Sequence, residues 1–145
     1  MSRTVAIICA LGAGLLVGLQ PPANASMSQY VGDLGATVVS MAISILVATV
    51  LLVCLGHPGR LSGVAHFRPE WLIGGLGGVA VVTVGLVAVR PLGAGSVVAI
   101  LVAGQLITSV LSDQFSWFGA HHALTLVRGG GVALVVLGTV LITRG

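Results

Sequence analysis

Five apolar stretches, separated by short polar segments, run along this chain. They lie at about residues 4–24, 34–55, 71–89, 92–111 and 123–143. Each has about 20 residues, the length that an α-helix needs to cross the ~30 Å hydrocarbon core of a bilayer. The period-two alternation of a membrane β-barrel is absent, and open strands would leave backbone polar groups unpaired in lipid. The pattern therefore predicts an all-α integral membrane protein, with residues 1–145 forming a single transmembrane domain of five helices.

The third and fourth stretches form one long apolar run that has to turn back on itself. Between residues 71 and 111 the only formal charge is Arg90, which lies close to Pro91 and Gly93. As a single helix this run would be about 60 Å long, twice the thickness of the hydrocarbon core. Because proline and glycine favour turns, the sequence predicts a turn at residues 90–93 between two spans.

The composition supports a membrane location and argues against a soluble domain. Charged residues make up 6% of the chain and hydrophobic residues 57%, whereas a soluble domain carries about 25% charge. The six basic residues are all arginines that are scattered singly along the chain. They therefore indicate orientation in a membrane and not nucleic-acid binding.

The arginines give a weak signal for topology. With five spans, the N-terminal side carries Arg3, Arg60, Arg68 and Arg128, and the opposite side carries Arg90 and Arg144. Because cytoplasmic segments are richer in basic residues, we expect a multi-pass protein with its N-terminus in the cytoplasm. The difference between the two sides is small, so the sequence leaves mixed orientation open.

The first stretch also has the features of a secretory signal peptide. Arg3 supplies a basic start, residues 5–19 supply an apolar core, and residues 23–25 (Ala-Asn-Ala) have the form of a signal-peptidase site. Cleavage there would leave four spans. From the residues alone, both a cleaved and an integral first span remain open.

Small residues at four-residue spacing mark faces on which membrane helices approach each other closely. Gly14 and Gly18 share such a face in the first span, and Gly74 and Gly78 share one in the third. We expect these glycines to be helix-packing positions rather than ligand contacts.

Three pairs of polar side chains lie at four-residue spacing in the predicted spans. They are Gln20 with Asn24, Ser40 with Ser44, and Gln105 with Ser109. Residues four apart share one helix face, so these pairs can line a polar, uncharged substrate pathway. The serine hydroxyls can equally make hydrogen bonds between helices. For Gln105 the sequence leaves a pathway role and a dimer contact equally open.

Two prolines, Pro21 and Pro22, lie between Gln20 and Asn24. If the helix continues past them, each proline removes a backbone donor and frees a carbonyl one turn earlier. At membrane depth, freed carbonyls are tolerated only against protein or a water-filled cavity. This segment is therefore a candidate part of the pathway.

Charged and aromatic residues near span ends are candidates for a gate or for coupling. Asp113 and Arg128 flank one short loop, and the carboxylate can pair with the guanidinium across it. Trp71 opens the third span and is a further gate or interface position. A charge near a span end costs far less than one at the centre, so Asp113 can also be an ordinary interfacial residue.

No catalytic or metal-binding pattern is evident. The three acidic residues lie near span ends, and no nucleophile has a base at catalytic spacing. His121 and His122 are adjacent, so they point apart on a helix, and no third ligand accompanies them. Cys9 and Cys54 lie in apolar runs, where a free thiol behaves as a small hydrophobic group. We expect no enzyme activity, no metal and no cofactor.

Six short motifs, in order along the whole chain, resemble a known family. They are Gln20-Pro-Pro-Ala-Asn24, Trp71-Leu-Ile-Gly-Gly-Leu-Gly77, Arg90-Pro-Leu-Gly93, Gly104-Gln-Leu106, Asp113-Gln-Phe115 and Arg128-Gly129. The ordered set resembles the YdcZ-like five-helix branch of the drug/metabolite transporter (DMT) superfamily, proteins described as inner-membrane exporters. The chain departs from the family at Ser116, where such proteins often have glycine, and in the double proline after Gln20.

The resemblance implies an architecture and a function. Larger relatives have ten helices built as two inverted five-helix halves, and alternating access rocks such halves about a midplane site. The chain is thus expected to be one half, paired with itself or with a five-helix paralogue in opposite orientation. It is expected in the bacterial inner membrane, where it would export an unknown small molecule, with its first span retained as an integral helix.

Two other functions fit the same sequence. A small dual-topology ion channel can be this short and this poor in charge, and the uncharged polar faces suit a pore. A non-transporting accessory membrane subunit is the second alternative. Saturation of flux and tolerance of substitutions at Gln105 and Asp113 would separate these possibilities.

Overall fold

The computed structural model describes residues 2–117 and 123–145, and these are helical almost throughout. The α-helices are α1 (Arg3–Leu55), α2 (Leu72–Leu92), α3 (Ala94–Phe115) and α4 (Leu126–Arg144). Two 3₁₀ helices, Pro58–His66 and Pro69–Trp71, occupy the polar connection before α2. All 4 α-helices are long and apolar enough to cross a membrane, and the described ranges contain no β-strand. The predicted all-α membrane fold is confirmed.

Helix α1 is too long for one span and is interrupted at Gly32. Its 53 residues would make an uninterrupted helix about 80 Å long, against a hydrocarbon core of ~30 Å. Gly32 has φ 74° and ψ 166°, which lies outside the helical region. The interruption separates residues 3–31 from residues 33–55, and each segment is long enough to span a bilayer. Together with α2, α3 and α4, these make five spanning segments.

The first helical segment extends past its predicted end at residue 24. Pro21 and Pro22 lie inside the helix, so each leaves a carbonyl one turn earlier without its helical donor. The polar residues that follow remain helical as far as Gly32. The helix is interrupted there because glycine adopts a positive φ at little cost. The polar connection expected between the first two spans is therefore reduced to a single glycine.

The junction between α2 and α3 is also a single glycine. Helix α2 continues through Arg90 and Pro91 to Leu92, and α3 begins at Ala94. Gly93 between them has φ 77° and ψ 155°, nearly the conformation of Gly32. Only glycine adopts this region of backbone space readily. The helix is therefore interrupted within the segment where the turn was predicted, at one residue instead of four.

The described chain divides into two compact units. The first consists of Met1–Gly18 and Ala88–Gly145, and the second of Leu19–Val87. The second unit has a small core formed by the buried side chains of Ala36, Val82 and Leu86. Ala25, Met27 and Met41 pack against this core. The segments on both sides of Gly32 and the middle of α2 thus contribute to one packed cluster.

In the first unit, α3 and α4 pack against each other. The Thr139 hydroxyl of α4 lies 3.2 Å from the Ala99 carbonyl oxygen of α3 and 2.9 Å from the Val135 carbonyl oxygen. Val97 and Ala103 of α3 are buried. Hydrogen bonds from threonine to a neighbouring backbone carbonyl are a usual contact between helices in lipid.

Specific caps define the ends of the connection between α3 and α4. Ser116 ends α3 in the left-handed conformation, with φ 54° and ψ 35°. The Thr125 side chain caps α4 by accepting from the Arg128 backbone N–H. The Gln114 side chain accepts from the Leu124 backbone N–H at 2.6 Å, which joins the two ends of the connection. His121 and His122, which we expected not to bind metal, lie outside the described residues.

Large apolar side chains cover the surface of the described chain. Leu16, Leu34 and Leu134 lie on three different helical segments, and all are exposed. Leu86 is the only large side chain that is fully buried among the described residues. Such an apolar surface is stable in lipid, because lipid tails are themselves apolar. Helices in lipid associate instead by close packing and hydrogen bonding.

Candidate solute pathway

Four uncharged polar side chains are buried in the second unit. Their exposed fractions are 6% for Asn24, 5% for Ser28, 5% for Thr37 and 8% for Ser40. Asn24 and Ser28 share one helix face before Gly32, and Thr37 and Ser40 share one after it. Buried polar groups in a membrane protein are costly unless they are paired or serve a pathway. These four residues, together called the buried polar cluster, are the candidate site.

Most hydroxyls of the buried polar cluster have hydrogen-bond partners. Ser28 donates to the Ala25 carbonyl oxygen at 2.8 Å, and Thr37 donates to the Asp33 carbonyl oxygen at 3.0 Å. The Thr37 and Thr83 hydroxyl oxygens are 3.2 Å apart. Because the single hydroxyl hydrogen of Thr37 is directed at Asp33, we assign Thr83 as the donor in this pair. This bond links the segment after Gly32 to α2.

The Asn24 amide differs from the hydroxyls of Ser28 and Thr37. Its Nδ2 atom is buried and has no hydrogen-bond partner among the described residues. A buried donor without a partner typically costs about 1–3 kcal/mol. Asn24 is therefore available to donate to a hydrogen-bond acceptor that enters the cluster.

Besides Asn24, three of the predicted pathway residues lie in or near this cluster. Ser40 belongs to it, and Gln20 is half-buried on the helix face of Asn24. Ser44 is exposed, and its hydroxyl donates to the Ser40 carbonyl oxygen at 3.0 Å. Ser28 and Thr83 were not among the predicted site residues. Ser28 continues the four-residue spacing of Gln20 and Asn24, a signal that was available in the sequence.

Thr83 was also detectable in principle. Apart from Arg90 near the end of the helix, it is the only polar side chain in the sequence of α2. A lone threonine in an apolar membrane helix either bonds to its own backbone or reaches a neighbouring helix. The sequence could not distinguish these two arrangements, because the identity of the neighbour depends on the packing.

The predicted pathway residues Gln105 and Ser109 belong to the first unit. Both are exposed on α3, and Gln105 lies at the middle of this 22-residue helix. The Gln105 side chain makes no hydrogen bond to any residue that the structure describes. An amide at the depth of the bilayer centre needs a partner, because lipid offers none.

The proposed gate residues lie near helix ends. An Asp113 carboxylate oxygen is 4.0 Å from a guanidinium nitrogen of Arg128, and the two side chains are 40% and 46% exposed. A pair this long and this exposed contributes about 0–1 kcal/mol, so it can form and break readily. Trp71, in the second unit, makes an edge-to-face contact with Phe67 at 6.1 Å. The gating roles of these residues stay predictions.

The predicted packing glycines make no close contact with the residues that the structure describes. A Cβ atom at any of them would meet no heavy atom of the described residues within 4 Å; the positions are Gly14, Gly18, Gly74 and Gly78. Their role as helix-packing positions therefore stays a prediction.

Comparison with known families identifies the chain. A family model described as "Putative inner membrane exporter, YdcZ" matches residues 5–141. No curated protein and no solved structure matches the chain. The family match covers almost the whole sequence and agrees with the all-α membrane fold. The chain therefore belongs to the YdcZ branch of the DMT superfamily, a family of inner-membrane exporters.

Proposed function

We propose that this chain exports a small solute across the inner membrane by alternating access, as one half of an antiparallel dimer. The observation that carries the proposal is the match to an inner-membrane exporter family over residues 5–141. A five-helix chain corresponds to one of the two inverted halves from which ten-helix DMT transporters are built. The second half is then a second copy of this chain or a five-helix paralogue in opposite orientation.

The buried polar cluster supports a pathway for a neutral solute. Asn24, Ser40 and the neighbouring Gln20 carry no formal charge. An anionic solute would find no counter-charge on these side chains, and desolvating it would be costly. A solute with a carbonyl, ether or hydroxyl oxygen can accept from the Asn24 amide, which has no partner among the described residues.

The exposed polar face of α3 supports pairing with a second half. In inverted-repeat transporters the solute site lies near the midplane, at the interface between the halves. Gln105 and Ser109 are exposed at this depth of α3 and would gain partners at such an interface. We infer that Gln105 and Ser109 line a solute pathway at that interface. The small arginine bias is compatible with both orientations, with the N-terminus in the cytoplasm favoured.

Gating is assigned to residues at the helix ends. The Asp113–Arg128 pair is weak enough to open and close during a transport cycle. Trp71 precedes α2 and is half-exposed, so its ring can cover or uncover an entrance. Both assignments predict that substitution changes the transport rate more than it changes the amount of folded protein.

The test is solute flux in liposomes that contain the purified chain. A panel of radiolabelled neutral metabolites is loaded, and the dependence of efflux on concentration and on external solute is measured. Saturation with trans-stimulation supports a carrier. Unsaturated conductance would indicate the ion channel instead, and absence of flux with any solute would favour an accessory subunit.

Single substitutions, measured in the same flux assay, test which residues line the pathway. We expect Asn24→Leu, which keeps the side-chain size and removes the amide, to reduce flux at least tenfold. Gln29→Leu is the matched control, because Gln29 is an exposed amide three residues before Gly32. Equal flux in the two variants, with equal amounts of folded protein, would remove Asn24 from the pathway.

A further inference from the structure

We propose that the connection before α2 lies flat on the bilayer surface, with the Arg60 guanidinium bound to the headgroup phosphate of an anionic phospholipid. The inference goes beyond the proposed function, because neither the solute pathway nor the gate uses this segment. It assigns a ligand class, a phospholipid with net negative charge, to the 3₁₀ helix Pro58–His66.

The side chains of this 3₁₀ helix form three straight rows. The helix has 9 residues. A 3₁₀ helix has about 3.0 residues per turn, so side chains three positions apart lie directly above one another. The rows are an apolar row (Leu61, Val64 and, at the same spacing, Phe67), a basic row (Arg60, Gly63 and His66) and a small row (Gly59, Ser62 and Ala65).

The apolar row is open to its surroundings. Leu61 and Val64 are each 58% exposed, and Phe67 is 52% exposed. Every residue from 56 to 71 is exposed. Runs of 3₁₀ helix longer than about 3–4 residues are uncommon, because their hydrogen-bond geometry is poor. A 3₁₀ helix of this length therefore gains stability from an outside surface against which its apolar row can pack.

The bilayer is the apolar surface within reach of this row. Helix α1 ends at Leu55 and α2 begins at Leu72, so spanning helices hold both ends of the connection at the membrane surface. Leu55 and Leu72 are themselves exposed, and the apolar row continues their lipid-facing surface. The Phe67 ring contacts Trp71 edge-to-face at 6.1 Å, and aromatic side chains are typical of the boundary between lipid and water.

The charge of the connection selects the headgroup. Arg68 pairs with Glu70 at 3.3 Å, whereas Arg60 makes no ion pair with any residue that the structure describes. A guanidinium beside an apolar row can extend to the headgroups while its stem stays in apolar surroundings. It can also bind a phosphate through two parallel hydrogen bonds. A phospholipid with net negative charge supplies both the phosphate and the counter-charge for Arg60.

Gly63 leaves room for a headgroup within the basic row. It lies one turn after Arg60 and one turn before His66. A Cβ atom there would meet no heavy atom of the described residues within 4 Å. Arg60 and His66 are about 12 Å apart along the helix axis, so a phosphate can approach the backbone between them. A protein partner would need an apolar ridge and an anionic group side by side, whereas one anionic phospholipid carries both.

The test is a fluorescence scan of the full chain in vesicles of phosphatidylglycerol and phosphatidylcholine. Cys9 and Cys54 are first replaced by serine. Single cysteines then carry an environment-sensitive label in the apolar row (Leu61→Cys, Val64→Cys) or, as matched controls, in the small row (Ser62→Cys, Ala65→Cys). We expect brominated lipid to quench the apolar-row labels at least threefold more than the small-row labels, and aqueous iodide to do the reverse.

Two outcomes of this scan would overturn the bilayer as the partner. Equal quenching of the two rows would show that the connection does not lie on lipid through its apolar row. Apolar-row labels that are shielded from both brominated lipid and iodide would show that protein covers the row.

The headgroup is tested with the labelled Val64→Cys chain. Its preference is the quenching by brominated phosphatidylglycerol relative to that by brominated phosphatidylcholine. We expect Arg60→Gln to lower this preference about fivefold, the attraction typical of one arginine near an anionic surface. Arg3→Gln is the matched control, because it removes the same charge from another exposed arginine. Equal preferences in the two variants would overturn Arg60 as the ligand of the phosphate.

Inorganic phosphate distinguishes a lipid headgroup from a free anion. Excess phosphate should lower the phosphatidylglycerol preference no more than chloride at the same ionic strength does, because the lipid is held by its chains as well. If phosphate alone abolished the preference, the site would bind a free anion and the lipid proposal would be overturned. These readouts do not depend on transport, so failure of the proposed export leaves this inference standing.

Discussion

Substituting Gly32 by alanine tests whether one glycine divides the first helix into two spans. Gly32 has φ 74° and ψ 166°, and a Cβ atom there would meet no atom of the described chain within 4 Å. The cost of alanine is therefore conformational and not steric. A non-glycine residue in this region of backbone space costs about 1–3 kcal/mol.

Alanine also favours the alternative structure, an uninterrupted α1. In a helix interior alanine is more stable than glycine by about 1 kcal/mol. The balance between the interrupted and the uninterrupted helix should therefore shift by about 2–4 kcal/mol in total. An uninterrupted helix of 53 residues cannot place both its halves in one bilayer. Gly32→Ala should thus destabilise the native fold.

The assay is thermal unfolding of the purified protein in detergent, compared with a glycine elsewhere in α1. We expect Gly32→Ala to lower the melting temperature by roughly 4–16 °C. Gly12→Ala is the control, because Gly12 lies within α1 and a Cβ there also meets nothing within 4 Å. It should be neutral or slightly stabilising. If Gly32→Ala were as stable as Gly12→Ala, the interruption at Gly32 would not be part of the native fold.

Three further predictions concern caps and the buried polar cluster. Ser116→Gly should stabilise the protein by about 0.5–1 kcal/mol, because φ is 54° there and glycine adopts a positive φ without the usual side-chain penalty. Thr125→Ala should destabilise it by about 1 kcal/mol through loss of the α4 cap. In a double-mutant cycle, Thr37→Val and Thr83→Val should show a coupling energy of about 0.6 kcal/mol, the average for such bonds in membranes. All three are measured as changes in unfolding free energy in detergent.

Each of these has a control and a contradicting outcome. A destabilised Ser116→Gly would mean that the serine side chain contributes more than its backbone strain costs. Thr125→Ser keeps the capping oxygen, so a loss equal to that of Thr125→Ala would contradict the cap. Thr49 bonds only to the Ile45 carbonyl within its own helix, so Thr49→Val should be additive with Thr83→Val. Coupling as large as in the Thr37 cycle would contradict a specific contact.

Ser116 departs from the family pattern and also has an unusual backbone conformation, with φ 54°. The family resemblance leads us to expect glycine at this position, and the structure places Ser116 in the left-handed conformation. Its backbone N–H and that of Trp117 both reach the Ser112 carbonyl oxygen, which ends α3. The serine at position 116 is thus a local source of backbone strain.

The sequence alone determined the solvent and the family, and it predicted five spanning segments. A helix needs about 20 apolar residues to cross the hydrocarbon core, so apolar runs and their interruptions can be counted directly. The turn at residues 90–93 followed from the same argument, although the structure narrows it to Gly93. Spacing also identified Gln20, Asn24 and Ser40, since residues four apart share a helix face whatever the helix packs against.

Only the tertiary structure decided which of these polar residues are buried, paired or exposed. Asn24 is buried with its amide nitrogen lacking a partner in the described chain, whereas Ser44, of equal polarity, is exposed. Thr83 reaches Thr37 across 46 positions of sequence. In lipid, apolar surface does not drive helices together, so pairing depends on local shape and on single hydrogen bonds. The local shape and the hydrogen bonds depend on which helices are neighbours, and the periodicity of the sequence does not identify them.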